Sequence, residues 1–600
     1  MTVPQDHRLP YMPGIDALRA LSVLAVFLYH AGIGWMPGGF LGVDVFFVIS
    51  GYLITALLLS EYRRDGHVSV GRFWLRRARR LLPAVGVLIA ATMTLAAIFV
   101  PDEVAALRDD AIASLLYVTN WHFIFTEQSY FEQFERPSLF RHLWSLAIEE
   151  QFYLLWPLAL AAGMTLLGRR RLLIGVLAGA VLSAGLMAVL FDPDGDVSRV
   201  YYGTDTRAVG LLLGVALAVV WHPNLLRGRT GRHAGTALDA IGLVSLLVVL
   251  WTFFNVNDFD PGLYQGGFLV LAFFTALLVG VMAHPASRLG SLVALPPVLW
   301  LGLRSYSFYL WHWPVLALTR PDLDVPIHRP WLTILQLGAV LVLADLSYRY
   351  VEQPFRGRAP VPLKLPRLPA IPKYGRPALA AAVLLVVALI GWSGIVPTQE
   401  RVQASVAAAT GTEEASVEAA GTGPPDVLAL GDSVMVGAGD ALAERLGPRF
   451  TLSAAIGRQA AEFVDLIEGY RAAGRLPDKL IIQMGNNGPI REGQLDEIGG
   501  AVADVDEVFL MNVEVPLTWE GPNNDKLAGA AEDWPNAELL DWNAVVNSRG
   551  GLTFDGVHLT PEGVEAYTDL IVDAAGPAPG EAEVVRASRG DGAEPLPSGG

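Results

Sequence analysis

Apolar runs of about twenty residues follow one another from residue 15 to residue 396 and then stop. A run of that length crosses the ~30 Å hydrocarbon core of a bilayer as one helix, because each helical residue advances ~1.5 Å. No soluble core of ordinary size calls for so many runs, so this stretch is expected to be a polytopic α-helical membrane domain. The chain has 600 residues, 52% of them hydrophobic and 17% charged, with a mean hydropathy of +0.41. That length exceeds what a single core usually organises, so at least two domains are expected.

Eleven spans are expected, at roughly 15–35, 40–60, 81–100, 143–165, 171–191, 207–222, 237–255, 265–283, 296–318, 331–351 and 377–396. Segment 111–125 is apolar too, but shorter and more polar. Basic loops lie between Arg63 and Arg80 (seven arginines), at Arg169 to Arg171, from Arg227 to Arg232 and from Arg356 to Arg376. Acidic loops lie at 101–110, 192–196 and 256–260. If segment 111–125 does not cross, every basic loop falls on one side and every acidic loop on the other. The amino terminus is then expected in the cytoplasm, residues after 396 outside it, and segment 111–125 interfacial or re-entrant. The first apolar stretch contains Arg19 and has no small-residue cleavage site, so it reads as a retained signal anchor.

The net charge of −16 comes without a basic domain or a recognition motif, so nucleic acid is not an expected partner. The absence of cysteine removes disulfides, thiolate catalysis and Cys-bound zinc, and no metal or tightly bound cofactor is expected. The expected layout is a cytoplasmic amino terminus at 1–14, a membrane domain at 15–356, and a cytoplasmic loop with the last span at 357–397. A flexible linker follows at 398–425, then an extracytoplasmic domain at 426–574 and a disordered tail at 575–600. From residue 426, short β-rich runs (DVLALGDS, KLIIQMGNN, EVFLMNVEV) alternate with helical stretches such as AAEFVDLIEGYRAA. That alternation predicts an α/β fold with a parallel sheet, whose functional groups sit in loops after strand ends.

Four motifs appear in order in this last third: Gly431-Asp432-Ser433, Gly457, Gly485-Asn486-Asn487 and Asp555-Gly556-Val557-His558. Ser433, between a predicted strand and a predicted helix, is the candidate nucleophile, with helix-start N–H groups nearby for an oxyanion. His558 is its candidate general base and Asp555 the carboxylate that orients the imidazole. Gly457 offers a backbone N–H and Asn487 a side-chain amide as further oxyanion donors. Each motif alone is an ordinary turn, loop or cap. Four in order point to ester chemistry, either acyl transfer or ester hydrolysis. The set resembles the SGNH (GDSL-like) hydrolase superfamily over about 426–572, with Ser433, Gly457, Asn487 and His558 at the four signature positions. The second block reads AAIGRQ, which departs from the extended glycine block of secreted lipases and is closer to SGNH domains attached to membrane acyltransferases.

Ionisable groups inside apolar spans are costly and usually functional. Arg19 and His30 stand eleven residues apart, which brings them to nearly one helix face, ~16 Å apart along the axis. The fourth span opens HLWSLAIEEQFY with His142, Glu149 and Glu150, Asp205 and Arg207 open the sixth, and the ninth carries Ser305 to Tyr309 and His312. These groups are expected to converge on a polar chamber. Arg76 to Arg80 read equally as a topology signal or as a site for donor phosphates, and His312, between two tryptophans, as an interfacial belt residue or a chemical one.

The region 12–356 resembles the acyltransferase-3 family of membrane acyltransferases. The resemblance rests on GIDALRALSVLAVFLYH, FLGVDVFFVISGYLI, FWLRRARRLLP, HLWSLAIEEQFYLLWP, SYSFYLWHWPV and YVEQPFR, in that order. It implies transfer of an acyl group, usually acetyl from acetyl-CoA as donor substrate, across the bacterial plasma membrane to an extracytoplasmic sugar. It also implies Arg19, His30, His142, Glu149 and Arg207 as functional positions, with Arg77 and Arg80 in a basic donor-binding loop. The fused architecture resembles bacterial peptidoglycan and O-antigen O-acetyltransferases, so the expected acceptor is peptidoglycan, lipopolysaccharide O-antigen or another surface polysaccharide. Two alternatives stay open: a membrane-tethered carbohydrate esterase and an exporter of an acylated glycan precursor.

Overall fold

Ten of the eleven expected spans coincide with long helices in the computed structural model. It describes residues 9–126, 137–356, 414–417 and 423–576, apart from 193–196, 224–231, 259, 321–323, 326, 328, 456–457, 492, 516–518 and 554–555. Seven helical stretches among the described residues are long and apolar enough to cross a bilayer: Pro37–Asp65, Val70–Phe99, Gly168–Leu190, Ser198–Val220, Gly235–Asn255, Leu263–Met282 and Pro330–Phe355. Three further helices, Pro13–His30, Leu143–Leu166 and Pro296–Ala317, occupy expected spans but are less purely apolar. They carry Arg19, His30, Glu149, Glu150 and His312, the side chains that gave these spans functional interest. The eleventh expected span, 377–396, lies outside the described residues.

The chain divides at Thr398 into a helical unit and an α/β unit. Within the helical unit, burial separates centre from rim. The most apolar window of Pro37–Asp65 is 78% buried, whereas that of Gly168–Leu190 is only 28% buried. On the latter helix Val181, Leu182 and Val189 are exposed, which is where an apolar solvent belongs. Two glycine contacts set the inner packing. A Cβ on Gly51 would stand 2.0 Å from the Leu211 carbonyl oxygen, so Gly42–Asp65 and Thr204–Val220 pack backbone against backbone. A Cβ on Gly302 would stand 1.9 Å from the Asp16 carbonyl oxygen, which fixes Pro13–His30 against Pro296–Ala317.

Segment 111–125 is not one helix. It breaks between Val104–Leu115 and Thr119–Phe125, with Tyr117 at φ 55°. Neither piece approaches the ~20 residues that a span requires.

The α/β unit is built on a six-stranded sheet: β1 (Glu414–Val417), β2 (Val427–Gly431), β3 (Phe450–Ala455), β4 (Lys479–Gln483), β5 (Glu507–Met511) and β6 (Ala537–Leu540). The order is β1-β3-β2-β4-β5-β6, with β1 antiparallel and every other pair parallel. All five residues of β2 are buried, as expected of a central parallel strand covered on both faces. Strand β1 corrects the expectation of an unstructured linker at 398–425. Its four residues, EASV, are too few to show a period, and they are ordered by pairing with β3 at the sheet edge. The other linker residues 398–413 and 418–422, and the tail 577–600, lie outside the described residues.

Candidate active site

The parallel order places β2 between β3 and β4, so successive crossovers leave β2 in opposite directions and open a crevice at its carboxyl end. Ser433 stands there, as the first residue of helix Ser433–Leu446. Asp432 is the helix N-cap, its carboxylate accepting from the Val434 N–H at 3.2 Å. His558 immediately precedes Leu559, the bridge partner of Thr553, and stands three residues before helix Pro561–Ala575, which Thr560 caps by accepting from the Gly563 N–H. His558 Nε2 is 3.2 Å from Ser433 Oγ, within reach for proton transfer. The structure thus brings together two of the predicted residues from positions 125 apart in sequence. Asp555 and Gly457 lie outside the described residues.

The asparagine motif after β4 supplies two amides with different duties. Asn486, 1% exposed, donates through Nδ2 to both Asp432 carboxylate oxygens at 3.0 and 2.8 Å, and so holds the loop that carries Ser433. Asn487 donates through Nδ2 to the Arg458 carbonyl at 2.8 Å, while its buried Oδ1 has no hydrogen-bond partner among the described residues. Arg458, from the AAIGRQ block, reaches back to the Gly431 carbonyl at 3.0 Å and the Ser453 carbonyl at 2.6 Å. The three loops after β2, β3 and β4 are therefore tied together around the serine.

Sequence reasoning missed Asn523, which has no motif of its own. It is fully buried, donates to the Gly485 and Gly488 carbonyls, each at 2.9 Å, and accepts from the Ile490 N–H at 2.8 Å. It also missed the role of Asp432 beyond the turn. Burial pushes the Asp432 carboxyl up to about 6, while the Asn486 amide and the Val434 N–H pull it back down. On the loop after β5, burial and then the neighbouring Glu520 carboxylate push Glu514 up to about 7.

In the helical unit, a cavity of about 130 Å³ is lined by Arg19, Arg77, Arg80, Glu149 and Glu150, among others. Five residues singled out in two expected spans and one basic loop thus meet at one place, from three different helices, four of them among the named site residues. Arg19 pairs with Asp16 at 3.4 Å. Ser50 donates to Glu149 at 2.6 Å, and the Arg77 guanidinium lies 4.9 Å from the centre of the Tyr153 ring. Arg80 Nε is buried and has no hydrogen-bond partner among the described residues.

His30 and His142 do not line that cavity. They gather instead around His312, with ring centres 5.2 Å and 5.6 Å away respectively. Tyr309 connects the two places: it lines the cavity, donates its hydroxyl to the His142 carbonyl at 2.8 Å, and offers its own carbonyl to His312 Nδ1. His312 is therefore built into the histidine cluster rather than sitting alone at an interface. Ser307 donates to Glu352, so two motif blocks far apart in sequence meet inside the unit.

Arg207, expected as a functional and donor-binding residue, does not line the cavity either. It is 1% exposed, pairs with Asp44 at 3.0 Å, and its guanidinium stacks against Phe268 and Tyr201 at 4.1 and 4.6 Å from the ring centres. Asp44 inside its own apolar run was the sequence signal for this pairing, since a buried cation needs a buried partner.

A polytopic helical unit with a charged cavity, joined in one chain to an α/β unit bearing a Ser–His pair, defines a membrane-bound enzyme of acyl chemistry. The family described as "Acyltransferase domain" matches residues 12–349. The chain belongs to this acyltransferase-3 family and is an O-acyltransferase. It is similar to the peptidoglycan O-acetyltransferase OatA of Listeria monocytogenes serovar 1/2a, with 37% identity over 94% of this chain and 97% of the relative. It is also similar to the O-acetyltransferase OatA of Staphylococcus aureus (strain NCTC 8325 / PS 47), with 34% identity over 94% of this chain and 96% of the relative.

Proposed function

We propose that this protein moves an acetyl group from cytoplasmic acetyl-CoA to a hydroxyl of extracytoplasmic peptidoglycan. The donor phosphates dock beside Arg77 and Arg80, and the acetyl group enters the cavity that Arg19 and Glu149 line. Tyr309 stands between that cavity and the histidine cluster, where His30 is the base for passage and His142 its neighbour. The acetyl group then reaches Ser433. As the Ser433 Oγ–acyl bond forms, the bond that carried the acetyl group breaks, while Asn487 and Gly457 stabilise the oxyanion. The Ser433 hydroxyl proton passes to His558 Nε2 and on to the departing group, so that coenzyme A ends as its thiol and His558 is neutral again. His558 next takes the proton of a glycan hydroxyl. The glycan oxygen takes the acetyl group, and Ser433 recovers its proton as its ester bond breaks. Asp555 orients His558. The amino terminus is cytoplasmic and the α/β unit faces the cell wall, in keeping with the basic loops on one side of the eleven spans.

The single observation that carries this reading is the 3.2 Å Ser433–His558 pair, placed at the sheet's switch point in a chain whose membrane unit is an acyltransferase. Proteoliposomes holding the full chain, with labelled acetyl-CoA inside or outside and soluble peptidoglycan fragments on the opposite face, test it. Wild type is expected to label the fragments. Both S433A and H30A are expected to lower labelling by at least roughly a thousand-fold. Labelling that survives H30A would mean that the membrane unit is an anchor, and the transfer reading would fall.

A further inference from the structure

The contacts inside the histidine cluster determine where its protons sit. A carbonyl oxygen only accepts, so an imidazole nitrogen bonded to one must carry the hydrogen. His312 Nδ1 is 2.5 Å from the Tyr309 carbonyl oxygen, which makes it an N–H donor. In the neutral ring, His312 Nε2 then holds the lone pair. That nitrogen is 3.0 Å from His30 Nδ1, so His30 Nδ1 must be the donor of this bond. His30 is thereby held as its Nδ1–H tautomer, with the basic lone pair on Nε2. His142 is wired the other way: its Nε2 donates to the Leu310 carbonyl at 3.0 Å, and its buried Nδ1 has no hydrogen-bond partner among the described residues.

We propose that His312 is a positioning residue that fixes the tautomer of His30 and stabilises His30 when it takes a proton. This rests on the reading of His30 as the base in the membrane unit. When His30 Nε2 gains a proton, its Nδ1–H···Nε2 bond to His312 becomes charge-assisted and strengthens. In a serine triad a carboxylate does this work. Here the ring of His312 does it, anchored by a main-chain carbonyl, so that no second charge needs to be desolvated inside the helical unit. His312 occupies this place because Gly302, ten residues earlier on its helix, lets Pro296–Ala317 approach the backbone of Pro13–His30. The ring plane is held on the other side by the edge contact of His30 with Trp313, whose ring centre is 4.8 Å away.

The test uses the full chain in lipid with ¹⁵N-labelled histidine, the His30 ring signals being assigned from their loss in H30Q. In wild type, solid-state NMR is expected to show His30 with Nδ1 protonated and Nε2 bare. In H312F, which removes the acceptor and keeps a ring, His30 is expected to lose that preference. In H312Q, where the amide oxygen stands near the position of Nε2, the preference is expected to remain. Acetyl transfer should fall roughly a hundred-fold in H312F and stay within about tenfold of wild type in H312Q. An Nε2-protonated His30 in wild type, or an unchanged His30 spectrum in H312F, would overturn the proposal whatever the activities. If the spectra behave as expected but H312F transfers normally, the positioning role is overturned. If H30Q transfers normally, the reading of His30 as base falls first, and the spectra report on the tautomer alone.

Discussion

The two units each hold a histidine that we propose as a base, but in opposite surroundings. In the α/β unit, Ser433 opens a helix and His558 sits on a loop, both at the carboxyl edge of a sheet, where neighbouring loops supply their partners. In the helical unit, Arg19, Glu149, His30 and His312 sit on helix faces, where each polar group needs a partner from the protein itself. The sheet edge therefore gathers its chemistry from short motifs, and neighbouring loops tie those motifs together. The helical unit gathers it through packing, with Asp16 for Arg19, Ser50 for Glu149, Asp44 for Arg207 and His312 for His30. The difference teaches that sequence motifs name candidate reacting groups in both places, whereas the side chains that hold those groups in place emerge only from the packing.

This comparison breaks most sharply at a helix contact. G302A would drive a Cβ to 1.9 Å from the Asp16 carbonyl oxygen, displacing both the Arg19 and the His30 sides of that helix. We expect a loss of about 3 kcal/mol or more of folding stability and transfer below detection. G338A in the same unit meets nothing within 4 Å and serves as the silent comparison. Thermal melts of purified protein in detergent, read beside the transfer assay, check this.

At the sheet edge a single side chain should matter less. N523A removes three hydrogen bonds from the asparagine loop without touching Ser433. It is expected to cost about 2 kcal/mol and to lower kcat about tenfold with little change in KM. A KM effect as large as the kcat effect would show that the loop binds the glycan rather than framing the reaction.

The last effect is on stability against pH rather than on transfer, and it sharpens the electrostatic side. Asp432 has a carboxyl pKa raised from 3.8 to about 6 by burial, so the folded state binds its proton more tightly than the unfolded state does. Between pH 4 and 6 the folded form therefore holds more protons, and stability falls as pH rises, by up to about 1.4 kcal/mol per unit. Below that window both states are protonated and the cost is absent. Above it both are ionised and the cost is fully present. Hydrogen-exchange protection of β2 against pH, corrected for intrinsic rates, should show this slope in wild type and lose it in D432N.

Most of the architecture was legible because it follows from periodicity. Twenty-residue apolar runs became helices, and short β-rich runs became parallel strands. The four residues of β1 were not legible, because a short edge strand has no pattern apart from its partner. Ser433 and His558 were legible as a spaced motif, whereas Asn523 was not, since an Asn in a helix says nothing until the loop it holds is placed. Arg207 was read as a functional arginine from its place at the start of the sixth span and from the family resemblance. Its pairing with Asp44 is a contact across 163 positions, which spacing does not encode. His312 was noticed but left between two meanings, and only the ring-to-ring contact with His30 separates them.

The most direct test of the central claim, that one acetyl group passes through both units, is the O-acetyl content of purified peptidoglycan from cells carrying wild type, S433A or H30A, matched for membrane expression. We predict that both variants lose the same ester. An ester content that rises in S433A and is unchanged in H30A would contradict the account and make the protein a tethered esterase.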